Sequence, residues 1–234
     1  MLTWLKGKLL IIARSMSGTG LLGFTLLCAL THSINAADQD TVPSGHPMHN
    51  PGLAEGVLLI AGKKLNDPNF EKTVILITEF DSKGTAGLVI NRRTKIPVAE
   101  ALPELQKMIP ILDHLYIGGP VAVNNINLLI KSETSLATAK QVTNGIYLIN
   151  TLAQFNQLVL DDIKPENFRL FSGFAGWAPG QLESELIRGD WYLWHASTET
   201  VFNPVPENIW HELIQIVSAK WVKLRGAVPW TSYY

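Results

Sequence analysis

The apolar positions of this chain fall mostly into short runs rich in β-branched residues, with few long helical stripes. Residues 56–61 (GVLLIA) read as a short buried strand, 73–78 (TVILIT) as a second and 86–90 (AGLVI) as a third. Asp81-Ser82-Lys83-Gly84 is a turn signal, so the second and third are predicted to pair as a hairpin. Residues 115–117 read as a strand running into Gly118-Gly119-Pro120, with 126–130 as its expected partner. Further strands are expected at 145–149, 168–174 and 191–195.

Helical spacing is confined to four places. Over 97–107 it is carried by Val98, Ala101, Leu102 and Leu105, with Pro103 expected to bend or interrupt the turn. Thr151 is positioned to cap a helix through about Leu160, with Leu152, Phe155, Leu158 and Val159 on one face. Residues 179–187 read as a short helix opened by Pro179 and stopped by Gly189. Residues 206–217 read as a helix that turns Ile209, Trp210, Leu213, Ile214 and Val217 inward. Strands and helices are interspersed without a βαβ period, which predicts an α+β domain with a mixed sheet.

At 234 residues, 47% hydrophobic and 17% charged, the chain has the composition of a globular protein with a full core. Its N-terminus changes the picture. Basic residues come first, then the apolar run 21–30, then small and polar residues ending at Ala36-Ala37. That is the order of a secretory signal, and the apolar run falls short of the roughly 20 residues of a membrane span. Cleavage is expected after Ala36; the alternative is an uncleaved anchor, because 9–13 add a second apolar patch. The expected organisation is therefore a signal over 1–36, a linker or arm over 37–55, an α+β domain over 56–225 and a tail over 226–234. The protein is expected to be exported to the periplasm, or anchored in the inner membrane facing it. Cys28, the sole cysteine, leaves with the signal, so the remaining domain has no disulfide and no thiol chemistry. Lys6, Lys8 and Arg14 leave too, which reduces 19 basic residues to 16 against 20 acidic ones. An acidic domain of this kind does not suit nucleic acid, which calls for a clustered basic surface.

Candidate chemistry is sparse. His46-Pro47-Met48-His49 offers two imidazoles and a thioether that suit copper, but within a proline-rich arm that reads more simply as a solvated linker. Ser172 precedes Gly173 at a strand end, without the paired glycines of a nucleophile elbow. His195 or His211 as base and Asp190 as orienting acid would complete a hydrolase. Glu183 and Glu185 stand two apart on a helix, so they do not share a face as an acid/base pair. Aromatics crowd the second half, and the terminal Trp230, Tyr233 and Tyr234 are candidates for an interface. No cofactor, catalytic residue or metal ligand is assigned.

One segment carries more information than the rest. Phe171-Ser172-Gly173-Phe174-Ala175-Gly176-Trp177-Ala178-Pro179-Gly180-Gln181-Leu182-Glu183-Ser184-Glu185 reads as a strand that meets a glycine-rich turn and opens a helix, with Trp191 just beyond. It resembles the hallmark of the AlgH/YqgE family, G-x-x-G-W-x-P-G-Q-L-x-x-E followed closely by Trp. Gly173, Gly176, Trp177, Pro179, Gly180, Gln181, Leu182, Glu185 and Trp191 match it, and Glu183 lies within it. Leu59-Ile60-Ala61, Leu65-x-Asp67-Pro68-x-Phe70, Gly87-Leu88-Val89-Ile90-Asn91 and Gly118-Gly119-Pro120-Val121 resemble other family features in order. The chain departs at Gly62-Lys63-Lys64, Phe80 and Arg92-Arg93, where the family usually has proline, histidine and proline. The resemblance implies a single α+β domain whose mixed, partly barrel-like sheet is surrounded by helices. It implies no agreed activity and no catalytic residues. The expected function is a non-enzymatic binding or adaptor domain of the cell envelope, acting on unknown protein partners through the hallmark surface. The alternatives are a hydrolase with an unrecognised site, or the transcriptional-regulator role attached to some members. The acidic balance and the export signal disfavour the latter.

Overall fold

In the computed structural model, residues 51–103, 114–157 and 164–227 are described. Ten strands supply most of the structure: β1 (Val57–Ala61), β2 (Val74–Asp81), β3 (Gly84–Val89), β4 (Arg93–Pro97), β5 (His114–Ile117), β6 (Val121–Lys131), β7 (Lys140–Thr143), β8 (Ile146–Ile149), β9 (Phe168–Trp177) and β10 (Trp191–His195). They form one sheet in the order β10-β1-β2-β3-β9-β6-β8-β7, with β4 pairing β5 and β5 joining β9. All pairings are antiparallel except β5 with β9.

The burial pattern shows why the strands sit where they do. β1 is buried at all five positions, because β2 and β10 flank it and its two faces are both covered. On β8, Ile146 and Leu148 enter one apolar cluster, while Tyr147 and Ile149 enter a second on the opposite face. β6 alternates likewise, with Leu129 in the first cluster and Leu128 and Ile130 in the second. The sheet curls so that β7, last in the order, comes back to β1 and β2. Lys140 Nζ donates to the Thr78 carbonyl at 2.9 Å and pairs with Glu55 at 2.7 Å. The result is a half-barrel within an α+β domain.

Five α-helices are described: α1 (Val98–Ala101), α2 (Leu152–Asn156), α3 (Gln181–Arg188), α4 (Thr198–Val201) and α5 (Ile209–Ala227). The expected ring of helices around the sheet is not found among them, since four of the five run eight residues or fewer. α5 buries Ile209, Trp210, Leu213, Ile214 and Val217, and Trp210 Nε1 donates to the Ala61 carbonyl at 2.8 Å. Thr151 caps α2 through a reciprocal capping box with Gln154. The expected side chains Leu158 and Val159 lie outside the described residues, as do Leu105, His46, Met48, His49, Trp230, Tyr233, Tyr234 and the whole of 1–36.

Three expectations are corrected by the sheet. β5 does not pair with β6: it runs parallel to β9, with Leu115, Tyr116 and Ile117 opposite Leu170, Phe171 and Ser172. β6 pairs with the opposite edge of β9, so the intervening Gly118-Gly119-Pro120 must carry the chain across that strand. β9 itself does not end before a glycine-rich turn but continues to Trp177. Its first half lies between β5 and β6, and its last three residues lie against β3. Pro179, finally, precedes the helix and is not its first residue; Gly180, at φ +76°, is the N-cap.

Candidate functional site

The crossing of β9 explains two of the glycine motifs together. A Cβ on Gly118 would strike the Gly173 carbonyl, one on Gly119 would strike Phe174 and Ala175 backbone, and one on Gly173 would lie 2.5 Å from the Gly119 carbonyl oxygen. Gly173 also takes a left-handed φ of +70°, where the β6–β9 register shifts between Val121 and Ile126. The buried Asn127 fixes the crossing by donating from Nδ2 to the Gly173 carbonyl at 3.2 Å.

Beyond the crossing, β9 delivers Trp177 to a corner shared with α3 and β10. Trp177 Nε1 and Trp191 Nε1 both donate to Glu185 Oε2, at 2.9 and 2.8 Å. Gln181 Nε2, one helical turn earlier, donates to Glu185 Oε1 at 3.0 Å, while Gln181 Oε1 accepts from the Ala178 N–H at 3.1 Å. Three donors therefore converge on one carboxylate, in bonds strengthened by its charge. Phe70 completes the corner, stacked on Trp177 at 6.1 Å between centroids and edge-on to Trp191 at 5.9 Å. The two indoles meet edge-to-face at 6.0 Å.

The loop that brings Phe70 here is tied to the end of β3. Asn91 Oδ1 accepts from the Val74 N–H at 2.8 Å, and its Nδ2 donates to the Lys72 carbonyl at 2.9 Å. Arg92 donates to the Asn69 and Glu71 carbonyls. Partial burial lowers the Arg92 pKa from its ordinary value, opposed by the nearby Glu71 and Asp67, and the guanidinium stays charged. Asp67 in turn accepts from the Asn69 N–H at 2.7 Å.

The hallmark residues thus divide between interior and surface. Trp177, Leu182 and Trp191 are buried, Gly173 lies inside the sheet, and Glu185 is half-buried with its oxygens engaged. Gly176, Pro179, Gly180, Gln181 and Glu183 are exposed. Glu183 and Glu185 do point to different faces. The hydrolase candidates are not brought together. The Ser172 hydroxyl donates to the Val123 carbonyl, and β1, β2 and β3 lie between its strand and that of His195. Asp190 pairs with Arg188 at 2.7 Å, and His211 is exposed on α5 against the Trp210 ring. Among the described residues no group of three or more His, Cys, Asp or Glu side chains could hold a metal ion.

Sequence reasoning did not anticipate a groove on the outer face of the sheet, with a volume of about 540 Å³. Its floor is Ala86 and Gly176, opposite each other on β3 and β9. Val121 and Phe174, another register pair, form one wall, and Glu79, Asp81 and Lys83 of the β2–β3 hairpin form the other. The available signal was Gly176 in the hallmark, read as part of a turn.

The chain matches the sequence profile described as AlgH-like over residues 58–221. It belongs to the AlgH-like family. Among AlgH-like relatives, a UPF0301 protein of Chlorobaculum tepidum is 34% identical over 164 residues, covering 70% of this chain and 86% of that protein. A UPF0301 protein of Streptomyces coelicolor is 32% identical over 166 residues, covering 68% and 84%. The AlgH-like fold recurs in the crystal structure of a Corynebacterium diphtheriae protein, at a TM-score of 0.62 and 26% identity over 72% of this chain and 90% of that one. It recurs also in the solution structure of the AlgH protein from Pseudomonas aeruginosa, at a TM-score of 0.53 and 24% identity over 82% and 100%. These names indicate no enzymatic activity.

Proposed function

We propose that this AlgH-like protein is a non-enzymatic binding domain of the cell envelope, exported by residues 1–36, and that it engages partners through the outer-face groove beside the hallmark segment. One observation carries the reading. The hallmark places its reactive-looking groups, Glu185 and the two indoles, in mutual hydrogen bonds, and turns its exposed Gly176 into an open depression. A carboxylate committed to three donors supports architecture more than proton transfer.

The three-part N-terminus supports export, and the family profile begins only at residue 58, after that segment. A reporter fused to residues 1–40 should be active only outside the cytoplasm; cytoplasmic activity alone would overturn export. For the binding reading, affinity capture from envelope extracts should recover partners with wild type and lose them with Gly176→Leu, whose fold is checked by circular dichroism. Trp177 is unsuitable for that test because it is buried. An unchanged set of partners on the folded variant would overturn the role of the groove.

A further inference from the structure

The glycines of the hallmark crossing are glycines because a side chain would collide with backbone. Gly176 is different. Its φ lies outside the left-handed region, and the three atoms nearest a Cβ there belong to side chains: Phe174 Cε2 at 3.3 Å, Val121 Cγ2 at 3.7 Å and Phe174 Cδ2 at 3.8 Å. Local conformation does not require glycine at this position, and a Cβ asks only that the Phe174 ring give by a few tenths of an ångström. What its missing side chain does is keep the floor of the groove open between Ala86 and the Val121–Phe174 wall.

The two walls differ in chemistry. Val121 is 40% exposed and Phe174 only partly covered, so that wall holds apolar surface in contact with water. The hairpin wall presents Glu79 and Asp81, both exposed, against the single cation Lys83. Neither carboxylate forms an ion pair with a described residue, and Asp81 Oδ1 accepts only the Lys83 N–H of its own turn at 2.7 Å. A depression with an apolar wall, a side-chain-free floor and a net negative rim is complementary to an aliphatic side chain beside a cation.

We infer that the groove takes an extended peptide segment of a partner protein, with an aliphatic side chain seated over Gly176 and an adjoining lysine or arginine at Glu79 and Asp81. This rests on the binding reading above and names the chemistry of its partner. The sequence of the β-hairpin and of β6, not the interior of the hallmark, then sets which segment is accepted.

The probes are three acetylated, amidated pentapeptides, Ser-Lys-Leu-Lys-Ser, Ser-Glu-Leu-Glu-Ser and Ser-Lys-Ser-Lys-Ser, titrated into ¹⁵N-labelled protein. The first should shift the amides of Ala86, Phe174 and Gly176 saturably and bind at least about fivefold more tightly than either other. Gly176→Leu should weaken it about tenfold or more, roughly the value of one excluded aliphatic group, with the melting temperature little changed. Glu79→Lys should weaken the first peptide and leave the second no weaker. Equal or tighter binding of the acidic peptide, or shifts confined to another face, would overturn the inference. So would self-association of wild type that Gly176→Leu abolishes, which would make the occupant a second copy. If no pentapeptide binds although envelope partners are still lost with Gly176→Leu, the occupant is wrong and the binding reading stands. If both fail, the binding reading falls with it.

Discussion

Replacing Glu185 by alanine removes one acceptor that serves two buried indoles, and the consequence can be worked from the geometry. Trp177 and Trp191 are 5% and 3% exposed, so neither N–H readily finds water in place of the carboxylate. A hydrogen bond to a charged group contributes about 1.5–3 kcal/mol, and orphaning a buried donor costs a similar amount. Gln181 is exposed and re-solvates, so the two indoles dominate. Taking the low end for each, Glu185→Ala should cost about 3 kcal/mol. Glu185→Gln keeps an oxygen for the indoles, but turns its amide donor toward the Gln181 donor, and should cost about 1–2 kcal/mol. Glu183→Ala, two residues away on an exposed face, should stay within about 0.5 kcal/mol of wild type. Urea denaturation followed by tryptophan fluorescence reads all three, because the reporters are the affected rings. A Glu185→Ala protein as stable as wild type would refute the claim that this carboxylate holds the corner together. A loss no larger than that of Glu183→Ala would refute it equally.

Three further outcomes follow from the same structure. Gly173→Ala, which combines a left-handed φ with a backbone collision, should destabilise by about 3 kcal/mol, whereas Gly176→Ala should change stability by less than about 1 kcal/mol; similar melting temperatures for the two variants would contradict the distinction between them. Asn91→Ala orphans the buried Val74 N–H and the Lys72 carbonyl and should cost about 2–3 kcal/mol by chemical denaturation, with amide exchange rising first over 65–72. The Glu199 carboxyl is held below its ordinary value of 4.5, first by its own backbone N–H and then by the Thr198 and Ser197 side chains. A depressed value means a contribution to stability that is present above the unfolded pKa and lost as pH falls through the folded one, so an NMR titration should place Glu199 below 4.5, and Glu199→Gln should remove that part of the acid dependence.

Eight of the ten strands were legible in the sequence, most plainly the runs buried on both faces. β1, β2, β3 and β8 are near-continuous apolar runs, and burial alone identifies such a run without knowledge of its neighbours. β4 (RTKIP) and β7 (KQVT) are short and polar and were missed, whereas β5 and β10, with one buried residue each, were marked by their aliphatic and aromatic residues. Pairing was less legible than existence. β5 and β6 are adjacent in sequence, and only the long-range presence of β9 between them separates the two. The hallmark was legible as a segment but not in its parts. Gly173 and Gly176 read as one turn, yet one lets two backbones cross and the other opens a surface. Nothing local distinguishes them, because the atoms that do belong to Gly119, Val121 and Phe174. The Glu185 carboxylate was not legible as a meeting point, because its donors Trp177 and Trp191 come from two separate strands.

The binding reading is tested most directly by site-specific photo-crosslinking from position 86 on the floor of the groove, carried out in cells with the full-length chain. The predicted result is a discrete adduct that disappears when Gly176→Leu is introduced into the same protein and is absent from a control crosslinker at Gln215 on α5. Identical adducts from both positions, or an adduct from position 86 that survives Gly176→Leu in the folded protein, would contradict it.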